Sequence, residues 1–482
     1  MNRTFTARTL ARRFAAVCSF PKLVLAACLA LIANSATAAT VNVSNYSWLQ
    51  LKPNDVTPII GSFTGINTTA FGSTADVRWG DYVWIPTNTM TANGTEMYYA
   101  GVQLDQSRPI DKVRLQWYTA GLSVSQYFVD GSNDGAIWTT IATQTGPTPA
   151  DQSANDVSVT PGSYQFVRVR FEGPDYASNA SYGGPGLMLI EPFGTGTLSG
   201  DKVNWANAAF GTTITNTGFT TYNGTAYSDG TLQDRGGVTY WTGTPGNWGA
   251  GEYTTINLGT ERLINSATSV WSHPYGGNDF EVQYSLDGTT FFNVANPAAA
   301  INHSPTSGIG ATEINFDPTI ARYIRMLNAS GGSGFTLMNQ MLLHSPTDGV
   351  LDSDPGINGT IEVGAFELNS SMTLTDAVTL ENVGTTDTAI AIFDYSITGV
   401  DAAQFDLSSF APTILSDGES ISFDLDFTAL ADTQYNAVLT FETSLGDISF
   451  NISASIPEPA TFALVGMGAV GMLVQVRRRP RG

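Results

Sequence analysis

Side chains able to stack on sugar rings are the chemistry this sequence offers most freely. WSHPYGGND (271–279) puts His273, Tyr275 and Asn278 in a turn-rich loop, and TYWTGTPGNWG (239–249) adds Trp241 and Trp248. RWGDYVW (78–84) supplies Trp79, Tyr82 and Trp84. Aromatic faces on loops stack on the apolar faces of sugars while neighbouring polar groups read the hydroxyls. Core packing is the competing reading for each ring, and it is preferred for Trp117 and Trp271, which recur at equivalent positions of a repeat. Catalysis has less to work with. His273, His303 and His344 are the only histidines and lie far apart, and no HExxH, GxSxG or phosphate-loop motif occurs. His344 closes a strand and reads as packing or surface, not as a ligand. Acids are plentiful, but none stand out as an acid/base pair, so glycan cleavage is the lesser alternative.

The elements that must position these rings follow from composition. The chain has 482 residues, 49 of them Gly and only 13% charged, which points to turn-rich β structure in about three domains. Nine of the 21 basic residues lie in the two ends (Arg3, Arg8, Arg12, Arg13 and Lys22; Arg477, Arg478, Arg479 and Arg481). The body between them is strongly acidic and repels phosphate backbones, which argues against a nucleic-acid partner. Residues 1–38 read as a secretory signal: a basic leader, the apolar LVLAACLALIA, and a cleavage site at Ala36-Thr37-Ala38. Leu25-Ala26-Ala27-Cys28 also fits a lipoprotein signal, but the apolar run continues past Cys28, so cleavage after Ala38 is preferred. Cys18 and Cys28 both fall in the leader, leaving the exported chain without disulfide, thiolate or Cys-bound metal.

A repeat of about 154 residues runs through the body. Leu104, Ile110 and Trp117 recur as Leu258, Ile264 and Trp271. Val129, Ser132, Asp134, Gly135 and Trp138 recur as Val282, Ser285, Asp287, Gly288 and Phe291, and FVRV (166–169) as YIRM (323–326). Alternating apolar residues broken by Asp-Gly turns predict antiparallel strands, an all-β fold and two copies of one sandwich, 39–195 and 196–346. The blocks SNDGAIW, FVRV and LMLIEPFG, then SLDGTTF, ARYIRM and LMNQMLLH, resemble discoidin domains, also called coagulation factor 5/8 type C domains. AYSDG (226–230) and INLG (256–259) extend the likeness in the second copy. The resemblance implies an eight-stranded jelly roll whose loops at one end bind sugars or other surface ligands, mostly without catalysis. Many members hold calcium through an early Asp-Gly loop and a Glu in the last strand. Here Leu189 stands near that Glu in the first copy and Asn339 or Gln340 in the second, which weakens any site at Asp229. The expectation is no cofactor, with calcium left as the lesser possibility.

From Met326 to Val476 there is neither Lys nor Arg. ISFDLDFT (421–428) and YNAVLTFET (435–443) alternate as half-buried strands, with a turn at Asp417-Gly418. SITGVDAAQFDL and ILSDGESISFDLDF make 347–456 resemble an immunoglobulin-like module of the choice-of-anchor D type, which implies a spacer. DSDPGING (352–359) is not an EF-hand, because Ile357 stands where the loop needs Gly and Val363 where it needs Glu.

Residues 460–476 are apolar and, at roughly 25 Å as a helix, just long enough for a transmembrane span with the Arg cluster on the cytoplasmic side. Pro457-Glu458-Pro459, this helix and Arg477, Arg478 and Arg479 together (457–482) are similar to the PEP-CTERM sorting signal. That similarity implies an exosortase-type membrane protease as partner, transient anchoring in the inner membrane, and delivery to the cell surface, outer membrane or secreted exopolysaccharide. A permanent anchor is the alternative. The whole then reads as an exported, non-catalytic glycan-binding or adhesive protein whose other partner is envelope or extracellular polysaccharide. Its rival is a passive component of matrix or surface layer without a specific ligand.

Overall fold

The computed structural model describes residues 40–60, 83–84, 97–118, 126–146, 154–172, 186–217, 219–221, 241–243, 251–271, 278–296, 301–303, 310–329, 338–365, 368–431 and 433–455. They fall into two compact units, one spanning Ala38–Asp348 and one from Gly349 onward. Both are built of strands, with only short 3-10 turns between them among the described residues.

The first copy of the repeat comprises β1 (Thr40–Ser47), β2 (Val56–Ile60), β3 (Val83–Trp84), β4 (Met97–Tyr118), β5 (Gln126–Ser132), β6 (Thr139–Thr145), β7 (Ala154–Glu172) and β8 (Gly186–Ser199). They pair antiparallel in the order β1-β8-β4-β7-β5-β6, with β2 also on β4 and β3 on β8. A register break at Gln103–Arg108 divides β4. Its N-terminal half pairs with β2 and with 166–172, and its C-terminal half with β8 and with 154–158. A bulge of this kind turns a strand from one layer to the next. Val102 and Leu104 before the corner, and Val113, Leu115 and Trp117 after it, point alternately into one core together with Val157, Val167 and Val169. Trp117 is fully buried, as its place in the repeat predicts.

The second copy repeats the plan with β9 (Thr213–Thr217), β10 (Phe219–Thr221), β11 (Trp241–Gly243), β12 (Tyr253–Trp271), β13 (Asn278–Ser285), β14 (Phe292–Asn293), β15 (Ile301–His303), β16 (Gly310–Asn328) and β17 (Met338–His344). Here β12 takes the part of β4, breaking register between Asn257 and Arg262. One continuous apolar cluster runs from Val43 through Leu198, Val203 and Ala206 to Leu343. In the segment that joins the copies, Gly200, residues 203–207 and Thr212 are buried. The short β18 (Thr347–Asp348) ends this unit.

From Gly349 the strands are β19 (Leu351–Asp354), β20 (Thr360–Ala365), β21 (Ser371–Asn382), β22 (Thr388–Thr398), β23 (Phe405–Ser408), β24 (Thr413–Ser416), β25 (Ser420–Thr428), β26 (Gln434–Thr443) and β27 (Ile448–Ser455). One sheet runs β19-β21-β25-β23; the other includes β22-β26-β27-β20, with β24 on β22. A shared core of Phe423, Leu425, Phe427, Tyr435, Leu439, Phe441 and Phe450 lies between them, in line with the alternation in β25 and β26. Each such fully buried side chain contributes about 1.5–3 kcal/mol. Val363, where an EF-hand would need Glu, is buried in this core. Asp417-Gly418 is a turn, with Gly418 at φ +77°. It carries the chain from β24 in one sheet to β25 in the other and closes no hairpin.

Among the described residues no helix is long and apolar enough to cross a membrane. The expected span 460–476, the sorting residues Pro457, Glu458, Pro459, Arg477, Arg478 and Arg479, the cleavage residues Ala36 and Ala38, and Asp229 lie outside them.

Candidate functional site

Each copy has two unlike ends. At the corner end, the Ser-x-Asp-Gly turn is built the same way twice. Ser132 Oγ accepts from Gly135 N at 3.0 Å and Ser285 Oγ from Gly288 N at 2.9 Å. Asp134 Oδ1 accepts from the Ala136 and Ile137 amides, and Asp287 Oδ1 from Thr289 and Thr290. These backbone donors hold both carboxyls below the usual range. Gly135 and Gly288 have φ of +68° and +73°, and a Cβ there would stand 3.2 Å from Phe166 and 2.9 Å from Tyr323. The arginine of the FVRV and YIRM blocks closes the clasp. Arg168 lies 3.9 Å from the Trp138 ring centroid and 4.8 Å from that of Tyr99. Arg325 lies 3.4 Å from Phe291 and 3.7 Å from Tyr253. The motifs that mark the repeat are therefore structural.

The other end carries the connections. In the first copy Ile60, Met97, Glu172, Gln126 and Thr145 are neighbours on one layer, and Trp84, Tyr118, Ala154 and Gly186 on the other. In the second, Thr217, Tyr253, Asn328, Asn278 and His303 form one group, and Trp271, Gly310 and Met338 the other. The chain passes between the groups at 119–125 in the first copy and 272–277 in the second, so both layers end together.

Of the residues proposed from sequence, Trp84 and Asn278 are paired at this end. Trp79, Tyr82, Trp248, His273 and Tyr275 are outside the described residues. Trp84, Trp241 and Asn278 are described by their backbones, paired with Gly186, Thr221 and His303.

Besides the turn carboxyls, a second group of electrostatic perturbations lies where the copies join. His344 is wholly buried, and desolvation holds its imidazole down at about 3. Burial, then the neighbouring Asp201, pushes Asp348 up to about 7. Burial likewise lowers Lys52 and raises Glu313, and Lys202 pairs with Asp55 at 2.6 Å. Sequence reasoning took His344 as packing or surface; its one-sided signal, a lone histidine closing an apolar strand, does not reveal a partner nearly 300 residues away. Among the described residues no group of three or more His, Cys, Asp or Glu could hold a metal ion. In the unit from Gly349, a groove of about 570 Å³ is lined by Thr360, Glu362, Asn436, Asn451 and Ser453, with no aromatic ring among its lining residues.

Residues 199–341 match the F5/8 type C domain, residues 80–169 the NedA-like, galactose-binding domain, and residues 455–479 the PEP-CTERM protein-sorting motif. The chain thus carries F5/8 type C domains and a sorting motif. A search of curated proteins finds no match. Similar solved structures include CBM32-1 from a family 31 glycoside hydrolase of Clostridium perfringens, at 18% identity over 28% of this chain and 94% of that one, TM-score 0.23. CpGH89CBM32-5 of the same organism, in complex with GalNAc-β-1,3-galactose, is 18% identical over 28% and 95%, TM-score 0.23. A fucolectin from striped bass (Morone saxatilis) serum is 14% identical over 62% and 98%, TM-score 0.23.

Proposed function

We propose that this protein is exported, processed by an exosortase at Pro457-Glu458-Pro459, and placed at the envelope or in exopolysaccharide, where its tandem copies bind glycan without catalysis. The observation that carries the binding reading is the match of 199–341 to the F5/8 type C domain and of 80–169 to a galactose-binding domain, with Trp84 and Asn278 paired at the end of their copies away from the clasp that holds the fold. The ligand class is neutral, galactose-type sugar. The match of 80–169 to a galactose-binding domain supports this, and an acidic body would be repelled by uronate polymers. The unit from Gly349, read as an immunoglobulin-like spacer, would set the copies off from the sorting tail.

The full chain is expected to bind galactose-bearing glycans on an array, with Trp241→Ala or Tyr275→Ala weakening binding by roughly ten-fold, the order a truncated hot-spot side chain costs. Failure to bind any glycan would leave a passive matrix or surface-layer component. Deleting Pro457–Pro459 is expected to hold the protein in the inner membrane. Mature protein still carrying Val476 there would overturn the processing step.

A further inference from the structure

We propose that residues 38–348 form a rigid two-ended cross-bridge that joins separate stretches of a polymeric glycan. This rests on the glycan-binding reading above. What carries it is the seam between the copies.

Equivalent corner segments meet there. Arg108 lies 5.4 Å from the Trp48 ring centroid in the first copy, as Arg262 lies 4.1 Å from Trp205 in the second. Two residues beyond each tryptophan stand Gln50 and Asn207, which bond to one another: Asn207 Nδ2 donates to Gln50 Oε1 at 2.9 Å. Asn204 Nδ2 donates to the same oxygen at 3.2 Å, and the Asn204 amide donates to the Tyr46 hydroxyl at 3.0 Å. Asn204 Oδ1 accepts from the amides of Ala206 and Leu343. His344 Nε2 lies 2.9 Å from the Gln50 carbonyl oxygen. Gln50, Asn204 and His344 are fully buried. Gln50 Oε1, the Asn204 and Asn207 amides and His344 Nε2 are bonded in this one arrangement, while Gln50 Nε2 and His344 Nδ1 have no partner among the described residues, and a shift between the copies would strand the bonded groups too, away from water. Flexible linkers are exposed and rich in Gly and Ser; this joint is buried and bonded across its width.

The seam lies at the corner ends. From it, Arg108 to Tyr118 and Arg262 to Trp271 lead to the loop-bearing ends, about 30 Å away in each copy at 3.3 Å per residue. Two binding ends held at a set distance, each a strand's length from the joint, suit a repeating polymer and exceed the reach of a trisaccharide. A preformed pair also avoids the ordering cost that a flexible tandem meets on second engagement.

The test mixes the full chain with linear β-1,4-galactan or with galactotriose. Expected are two galactotriose sites per chain by calorimetry and a rise in light scattering with galactan that excess galactotriose reverses. Trp84→Ala and Trp241→Ala should each keep one site, lose the scattering, and weaken galactan binding roughly 10²-fold. Hydrogen exchange of peptides 46–52, 199–212 and 340–346 should be as slow as that of the core strands. Two sites without scattering, scattering unchanged in the single variants, or seam peptides exchanging faster than 112–118 would overturn the cross-bridge while leaving glycan binding in place. If neither sugar binds, the galactose reading falls and takes the cross-bridge with it.

Discussion

In the first copy the arginine of the clasp has both an aromatic sandwich and an acid; in the second it has the sandwich and a hydroxyl. Asp130, cross-strand from Arg168, is 1% exposed and receives Arg168 Nε at 3.0 Å and Arg170 Nε at 2.7 Å. The matching residue beside Arg325 is Gln283, which turns instead to Asn293. Arg325 Nε donates to Thr255 Oγ1, and burial lowers its pKa. The repeated part of the device is therefore the stacking of a guanidinium between two rings, which is favourable with or without a counter-charge. The acid belongs to one copy only, and once buried it becomes costly to remove.

Four measurements can break or sharpen that comparison. Asp130→Ala would leave two guanidiniums facing an empty site and should destabilise the first copy by about 3–5 kcal/mol, against under ~1 kcal/mol for Gln283→Ala. Hydrogen exchange of the strands in each copy under rising urea reads the two separately. Equal effects would mean that Asp130 is dispensable.

The next effect is a pH dependence that one copy has and the other lacks. Phe193 and His344 occupy matching places, cross-strand from Lys112 and Ser266. Phe193 is capped by Lys112, 4.2 Å from its ring, whereas His344 is buried neutral. The unfolded chain protonates this histidine near 6.5 and the folded one only near 3. Its contribution is complete above about pH 6.5 and is lost as pH falls toward 3, by up to about 1.4 kcal/mol per unit. Asp348 runs oppositely: raised to about 7, its contribution is complete below 3.8 and is lost as pH rises through 7. His344→Gln should flatten the acid limb of a stability–pH profile, and Asp348→Asn the limb toward pH 7. An acid limb unchanged in His344→Gln would place the sensitivity elsewhere.

Smaller still is the turn. Gly288→Ala should cost about 1–2 kcal/mol for its left-handed backbone, and more than Gly135→Ala because the Tyr323 ring is the closer neighbour; thermal unfolding of the two variants ranks them. The smallest effect belongs to Asp287→Ala, which removes the acceptor of the Thr289 and Thr290 amides. Those two amides should exchange faster, with little change elsewhere.

Much of the fold was legible in advance because its signals are local. Period-two alternation places Phe423, Leu425 and Phe427 on one face whatever they pack against. An Asp-Gly pair after Ser makes its turn from bonds spanning at most three residues. The candidate site was less legible: Trp84, Trp241 and Asn278, read as loop residues, lie on β3, β11 and β13, because a pairing such as that of Trp84 with Gly186 joins residues far apart along the chain.

What residue order alone determined, then, was the strand content, the repeat, the Asp-Gly turns and the sorting motif, each a matter of near neighbours along the chain. Tertiary structure decided that the copies share one core, that Asp417-Gly418 crosses between sheets, and that Gln50, Asn204, Asn207 and His344 form a joint. The joint depends on residues about 150 to 300 positions apart, and the crossing on strand pairings about 20 to 60 apart. An amide or imidazole looks the same in sequence whether it faces water or a partner, and only burial beside that partner tells them apart.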